Sequence, residues 1–303
     1  MMDIIVIGGG PAGMTAAIYA ARAGLSCTVL ESGVAGGQLA TTSTVENYPG
    51  FPNGVGGVEL STAMEQQAKN LGANIKYAEV TDVDLAGEVK TITLKNGETL
   101  HGKAVIIACG AAPRKLGISG EEELRGMGVS YCATCDGFFF KNLEVCVIGG
   151  GDTAAEDALF LARTSKKVHL IHRRGELRAA KSLQNRIFAA ENIETHLGYV
   201  PLSIDGKFEV DSLKVQNVET GEEESIPCQG VFVAVGHNPN TALFTGKVGL
   251  DDAGYIVTGE DLATDVPGVF AAGDIRQKDL RQVITAAADG AVATISCERY
   301  LLD

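Results

Sequence analysis

Two glycine-rich turns of nearly one design, each behind an apolar run, constrain this 303-residue chain more than anything else in it. The first, Gly8-Gly9-Gly10-Pro11-Ala12-Gly13, follows Ile4-Ile5-Val6-Ile7. The second, Gly149-Gly150-Gly151-Asp152-Thr153-Ala154, follows Val145-Cys146-Val147-Ile148. An unbroken apolar run of that length reads as a buried strand, and the glycines after it as a tight turn into a helix. The free N–H groups and the dipole at such a helix start favour a pyrophosphate. Two dinucleotide sites are therefore expected. Between them lies Cys132-Ala133-Thr134-Cys135-Asp136, and a dithiol beside two dinucleotides describes a path for electrons.

The elements around the turns repeat. Strand 4–7, helix 11–23 and strand 27–31 form one βαβ unit. A long polar loop, a helix over 57–71, strands over 75–83 and 91–94 with a turn at Asn96-Gly97, and a buried strand over 104–108 follow. Strand 144–148, helix 153–163 and strand 168–172 form a second βαβ unit, followed by a hairpin-like pair over 213–218 and 224–226 and an apolar strand over 231–235. The last sixty residues start no third copy. A strand ending at Gly273-Asp274 and a small-residue helix over 281–300 are expected to return to the first domain.

The two turns differ in what lies at the end of the second strand. An acidic residue there hydrogen-bonds ribose hydroxyls, and Glu31 stands 23 positions after Gly8. The same count from Gly149 lands on His172, followed by Arg173 and Arg174, with Arg178 close behind. Arginine suits a 2′-phosphate through bidentate, charge-assisted hydrogen bonds, and an acid would repel it. NADPH is expected at the second turn and FAD at the first. Asp274 could hold a flavin ribityl hydroxyl or cap a helix.

Bulk properties exclude some classes. A formal net charge of −13 without a basic stripe argues against nucleic acid. No apolar run is long enough for a membrane span, and Met1-Met2-Asp3 lacks the basic start of a secretory signal. Of seven cysteines, Cys27, Cys109, Cys146, Cys228 and Cys297 lie singly in mostly apolar surroundings. They read as reduced, packed thiols of a cytoplasmic protein, in which a close-spaced pair is redox-active. A zinc reading of Cys132 and Cys135 finds no second Cys-x-x-Cys and no nearby His pair, so no metal is expected. Asp136 adjoins the pair, where it could shuttle a proton or cap a helix.

Taken together, Cys132-Ala133-Thr134-Cys135-Asp136-Gly137, the second glycine turn, His172-Arg173-Arg174 and Arg178 resemble the low-molecular-weight bacterial thioredoxin reductases. So do Gly36-Gly37-Gln38-Leu39, Glu46-Asn47-Tyr48-Pro49-Gly50, Gly236-His237-Asn238-Pro239-Asn240-Thr241 and Arg281-Gln282. One departure is Cys109, where that family usually has Thr. The resemblance implies flavin contacts at Gly8, Gly10, Gly13, Glu31, Gln38, Asn47, Gly273, Asp274, Arg281 and Gln282. It implies nucleotide contacts at Gly149, Gly151, Asp152, Thr153, Ala154, His172, Arg173, Arg174 and Arg178. It also implies a homodimer, Cys135 as the cysteine nearer the flavin, and Asp136 as the proton donor.

The expected fold is α/β: two Rossmann-like three-layer nucleotide-binding domains, the second inserted into the first and joined to it by a two-stranded hinge. Residues 1–116 and 244–303 are read as the FAD-binding domain, and 117–243 as the NADPH-binding domain with the Cys pair. The expected function is electron transfer from NADPH through FAD and Cys132/Cys135 to the disulfide of thioredoxin or a similar small redox protein. Reduction of another redoxin or a low-molecular-weight disulfide, or a flavin-dependent dithiol oxidase, are the alternatives. The arginines disfavour the oxidase, which has no need of NADPH.

Overall fold

A computed structural model of the chain describes residues 1–42 and 44–302. It forms two compact units, Met1–Ala112 with Asn238–Asp303, and Pro113–His237. The first stretch runs β1 (Met2–Ile7), α1 (Pro11–Arg22), β2 (Cys27–Glu31), β3 (Thr44–Val45), β4 (Val55–Gly56) and α2 (Gly57–Asn70). It continues through β5 (Asn74–Tyr77), β6 (Val80–Asp84), β7 (Lys90–Leu94), β8 (Thr99–Ile107) and β9 (Ala111–Pro113). The inserted unit begins with β10 (Val129–Ser130), α3 (Ala133–Asp136), β11 (Glu144–Ile148), α4 (Asp152–Leu161), β12 (Lys167–His172) and α5 (Lys181–Ala189). It is completed by β13 (Ile193–Leu197), β14 (Tyr199–Asp205), β15 (Ser212–Asn217), β16 (Glu223–Pro227) and β17 (Gly230–Val233). The chain returns through β18 (His237–Pro239) and ends with β19 (Val269–Ala271) and α6 (Val283–Leu302).

In the first unit the sheet order is β5-β2-β1-β8-β7-β6, with β19 beside β8. Strand β8 pairs parallel with β1 along one edge and serves two strands along the other: its first half pairs antiparallel with β7, and Val105–Ile107 pair parallel with β19. The apolar run of β1 is unbroken because both its faces are covered. Ile4 and Val6 pack with Met14, Ala16 and Ala17 of α1, whereas Ile5 and Ile7 pack with Val105, Ile107 and Val269. Each such side chain contributes about 1.5–3 kcal/mol on burial, enough to anchor the strand whose end sets the glycine turn. The small residues of α6 let it lie close on α1, where the Thr294 hydroxyl donates to the Ala16 carbonyl at 3.1 Å.

The single strand expected over 75–83 is two. β5 lies parallel to β2 at one edge of the sheet, and β6 pairs antiparallel with β7 at the other. The break falls where the Ala78 N–H turns to the Glu31 carbonyl, 2.8 Å away.

The inserted unit has a parallel sheet, β10-β17-β11-β12-β13, and a separate antiparallel sheet, β14-β15-β16. Val145 and Val147 of β11 pack with Ala154, Ala158 and Leu161 of α4 on one face. Cys146 and Ile148 pack on the other with Leu213, Val215 and Ile226 of the small sheet. Helices, parallel sheet and antiparallel sheet make three layers.

Asp157 on α4 carries a stability prediction. Burial first, and the charge of Glu156 second, push its carboxyl up to about 7. The folded chain therefore keeps this proton where the unfolded chain has released it. The stability so gained is full below the ordinary value of 3.8 and is lost as pH rises through about 7. Asp157→Asn is expected to unfold at a higher temperature than the native chain at pH 8 and to match it near pH 4. Thermal unfolding curves that coincide at pH 8 would remove Asp157 from this role.

Candidate functional site

The first unit brings several of its predicted residues to the start of α1. Gly8 has φ +109°, and a Cβ there would strike the Ala108 carbonyl at the end of β8, so only glycine can follow β1. The Glu31 carboxylate accepts the Gly9 N–H at 2.7 Å and the Gly33 N–H at 2.8 Å, which fixes it beside the turn. The Gly36 N–H donates to the Gly9 carbonyl at 2.8 Å, bringing the segment that carries Gln38 onto the turn. The Gln38 amide in turn donates to the Ala111 carbonyl. Gly10 and Gly13 flank the first residues of α1.

The end of β19 meets the same place. A Cβ at Gly273 would stand 2.9 Å from the Cβ of Ala12. Next to it, Asp274 has a buried Oδ1 without a hydrogen-bond partner, and burial raises its carboxyl above the ordinary range. Arg281 stacks 4.2 Å from the centroid of the Tyr255 ring, with its Nε buried and likewise without a partner. Asn47 donates to the Gln282 side chain at 2.9 Å across 235 positions of sequence. A glycine turn that opens a helix and two orphaned buried polar groups fit a dinucleotide that supplies their missing partners.

Asp289 carries no motif in the sequence, yet it builds this corner. It accepts the Gly273 N–H at 2.9 Å, Arg276 at 2.9 and 3.0 Å, and Lys278 at 2.9 Å. Burial pushes its carboxyl up, but the two cations outweigh that and hold it below the usual range. The one signal was an acid amid the alanines of α6. Cys109, the departure noted above, donates its thiol to the Ile7 carbonyl at 3.3 Å. Burial, aided by the charge of Glu31, pushes it up to about 12, so it stays a thiol.

The second unit repeats the turn with different company. A Cβ at Gly149 would strike the Ala234 carbonyl, the counterpart of Ala108. Gly150 accepts the N–H groups of Arg178 and Ala179 at 2.7 and 3.0 Å, and Asp152 accepts that of Ala180 at 2.7 Å. The segment after β12 is thereby pinned back onto the turn, leaving the Arg173, Arg174 and Arg178 side chains exposed around it. Gly151, Thr153 and Ala154 form the entry to α4. His172 lies buried against Gly150, its Nε2 without a partner, and burial followed by the nearby arginines lowers its pKa. It is a buried ring packed against the turn, while the cations stand exposed to solvent. Exposed guanidinium groups and an orphaned ring nitrogen fit an anionic nucleotide.

Cys132 and Cys135 form a disulfide at the start of α3, with Cα atoms 5.3 Å apart. The pair is held by a residue with no sequence motif, Ser130 at the end of β10. Its Oγ accepts the Cys132 N–H at 3.1 Å and donates to Asp136 Oδ2 at 2.6 Å. Burial raises the Asp136 carboxyl and the Ser130 hydrogen bond partly offsets this. A carboxyl that keeps its proton beyond the ordinary range can donate it to a thiolate leaving group. A Cβ on Gly137 would crowd Leu161 and Phe160, so the last turn of α4, not its glycine-flanked start, lies beside the end of α3.

Residues 2–290 match the family model for pyridine nucleotide-disulphide oxidoreductases. The chain belongs to the pyridine nucleotide-disulphide oxidoreductase family. Among its relatives, a thioredoxin reductase of Mycolicibacterium smegmatis is 49% identical over 302 residues, covering 99% of this chain and 97% of that one. The crystal structure of thioredoxin reductase from Streptococcus pyogenes superposes with a TM-score of 0.94 at 42% identity, covering 100% of this chain and 98% of that one. Thioredoxin reductase from Giardia duodenalis gives 0.94 at 36% identity, covering 100% and 99%. The disulfide of this pyridine nucleotide-disulphide oxidoreductase is Cys132–Cys135, and among the described residues the other five cysteines are free. Among the described residues no helix is long and apolar enough to cross a membrane.

Proposed function

We propose that the chain is an NADPH-dependent, FAD-containing thioredoxin reductase whose Cys132/Cys135 pair hands electrons to the disulfide of a thioredoxin. The observation that carries this reading is the Cys132–Cys135 disulfide with its Ser130-held Asp136, in the unit that also bears the arginine-flanked turn. Full-length similarity to thioredoxin reductases supports the choice of acceptor. FAD would be held by Gly8, Gly10, Gly13, Glu31, Gln38, Asn47, Gly273, Asp274, Arg281 and Gln282. Bound there, it supplies a two-electron relay between a nicotinamide and a disulfide. NADPH is assigned to the turn over 149–154, with Arg173, Arg174 and Arg178 on its 2′-phosphate and His172 supporting the turn.

The chain's own residues supply the thiol chemistry. In the reduced pair one thiolate attacks a sulfur of the partner disulfide, forming a mixed disulfide and releasing the partner's other thiol. The second cysteine then displaces the partner's remaining sulfur, so Cys132–Cys135 re-forms as the partner becomes a dithiol. Asp136 exchanges a proton at the pair, with Cys135 as the cysteine on the flavin side. Phe138 and Phe139 are 64% and 47% exposed three and four residues beyond Cys135, an apolar surface suited to a protein acceptor. The exposed Ile284, Val292 and Ile295 on one side of α6 suit the homodimer we assign to the enzyme. Free thiols packed in the core suit the cytoplasm.

Asp136→Asn is expected to slow thioredoxin reduction by about 10²-fold or more and to flatten its alkaline limb. Ser130→Ala removes a hydrogen bond that favours the carboxylate, so that limb should move to higher pH with a smaller loss of rate. A pH profile of Asp136→Asn that overlays the native one would take Asp136 out of the reaction.

A further inference from the structure

One cluster of ionisable side chains in the inserted unit belongs to neither the turn nor the dithiol. His169 of β12 with Glu194 and His196 of β13 offer donor atoms that all lie within 4.8 Å of one another. The parallel register sets Glu194 opposite His169, with His196 two residues farther along. Nδ1 of His169 is 3.1 Å from Nε2 of His196. Oε1 of Glu194 is 3.7 Å from that same Nε2, while its other oxygen pairs with Lys167.

Donor and acceptor accounting decides what this arrangement needs. The outer nitrogen of each ring faces a carboxylate: His169 Nε2 lies 3.8 Å from Glu144, too far for a hydrogen bond and without another partner, and His196 Nδ1 lies 3.3 Å from Glu224. A carboxylate only accepts, so each outer nitrogen is best served as an N–H. In neutral rings the inner Nδ1 and Nε2 then both carry lone pairs, aimed into the same 3.1 Å gap. One ring could instead turn its N–H into the gap, but its outer lone pair would then face a carboxylate; a shared cation serves both rings without that repulsion. A proton would charge the ring pair, and His169 is buried, which disfavours the charged form. A metal ion meets the same need with both rings neutral. Two imidazole nitrogens at about 2.0–2.1 Å from a tetrahedral zinc stand roughly 3.4 Å apart, close to the spacing found here.

We propose that His169, His196 and Glu194 form a binding site for a divalent transition-metal ion of the zinc class, with Glu224 orienting the His196 ring. The ion ties β12 to β13 and, through Glu224 of β16, steadies the small antiparallel sheet against the parallel one. Imidazole donors select zinc-like ions over magnesium. A carboxylate behind a ligating histidine fixes its tautomer and strengthens the donor nitrogen, the place that Glu224 takes behind His196.

The test is calorimetric titration of the chelator-treated, flavin-loaded full chain with Zn²⁺, keeping Cys132–Cys135 oxidised so that its thiols do not compete. The native protein should bind one equivalent with a Kd tighter than ~100 µM and should ignore Mg²⁺. His196→Gln and Glu194→Gln remove ligands from side chains 13% and 50% exposed, which spares the buried His169. Each should weaken binding by about 30-fold or more, and Glu224→Gln by about 10-fold. Reduction of a disulfide by NADPH in the metal-free variants, at the native rate, certifies their fold. Native protein that takes up no Zn²⁺ at ~100 µM, or binding that the ligand variants retain within threefold, would overturn the site.

Discussion

Cys135→Ser protein, titrated with NADPH without oxygen, is expected to take up one two-electron equivalent fewer than the native chain. It should lose thioredoxin reduction by a factor on the order of 10³ or more. The missing equivalent is the one stored in the Cys132–Cys135 disulfide, since a serine hydroxyl forms no bond to sulfur that can be broken and remade. The yellow colour should persist, because the predicted flavin contacts lie in the other unit. The two readouts separate the chemistry from the fold. A variant that is colourless has lost cofactor binding, whereas one that is yellow and inactive has lost the dithiol. Equal NADPH uptake by both proteins, or a variant that still reduces thioredoxin, would sink the assignment of this pair as the final carrier.

The second large effect is one of cofactor choice. The double variant Arg173→Ala, Arg174→Ala should raise the KM for NADPH by about 10²-fold with kcat nearly unchanged. The KM for NADH should move little. A hydrogen bond to a charged group contributes about 1.5–3 kcal/mol, and two exposed arginines at the low end of that range account for the shift. The turn is held from this segment by the Arg178 N–H on the Gly150 carbonyl, which neither substitution touches, so deletion of the two side chains leaves the turn intact. If the KM values for NADPH and NADH rise together, these arginines shape the turn and do not read the 2′-phosphate.

The chemistry-bearing stretches were legible in the sequence because each is local. A glycine turn between a buried strand and a helix is written in consecutive residues, and so is Cys-x-x-Cys-Asp. The arginines could be found by counting along one strand from Gly149. In the same way the unbroken apolar runs of β1 and β11 announced strands covered on both faces. Some mixed segments were not legible. β13 reads Ile193-Glu-Thr-His-Leu197 and earns its place only by pairing with β12, and the run over 75–83 divided because its two halves reach opposite edges of one sheet.

By itself, then, the sequence determined the two glycine turns, the dithiol and the difference in charge that tells one turn from the other. Only the tertiary structure decided what supports them. Ser130 reaches Asp136, Asp289 gathers Gly273, Arg276 and Lys278, and His169 meets His196 across neighbouring strands. The reason is physical. A hydrogen bond or a shared cation depends on distances of about 3 Å, and strand register and helix packing set those distances between residues that no sequence interval connects.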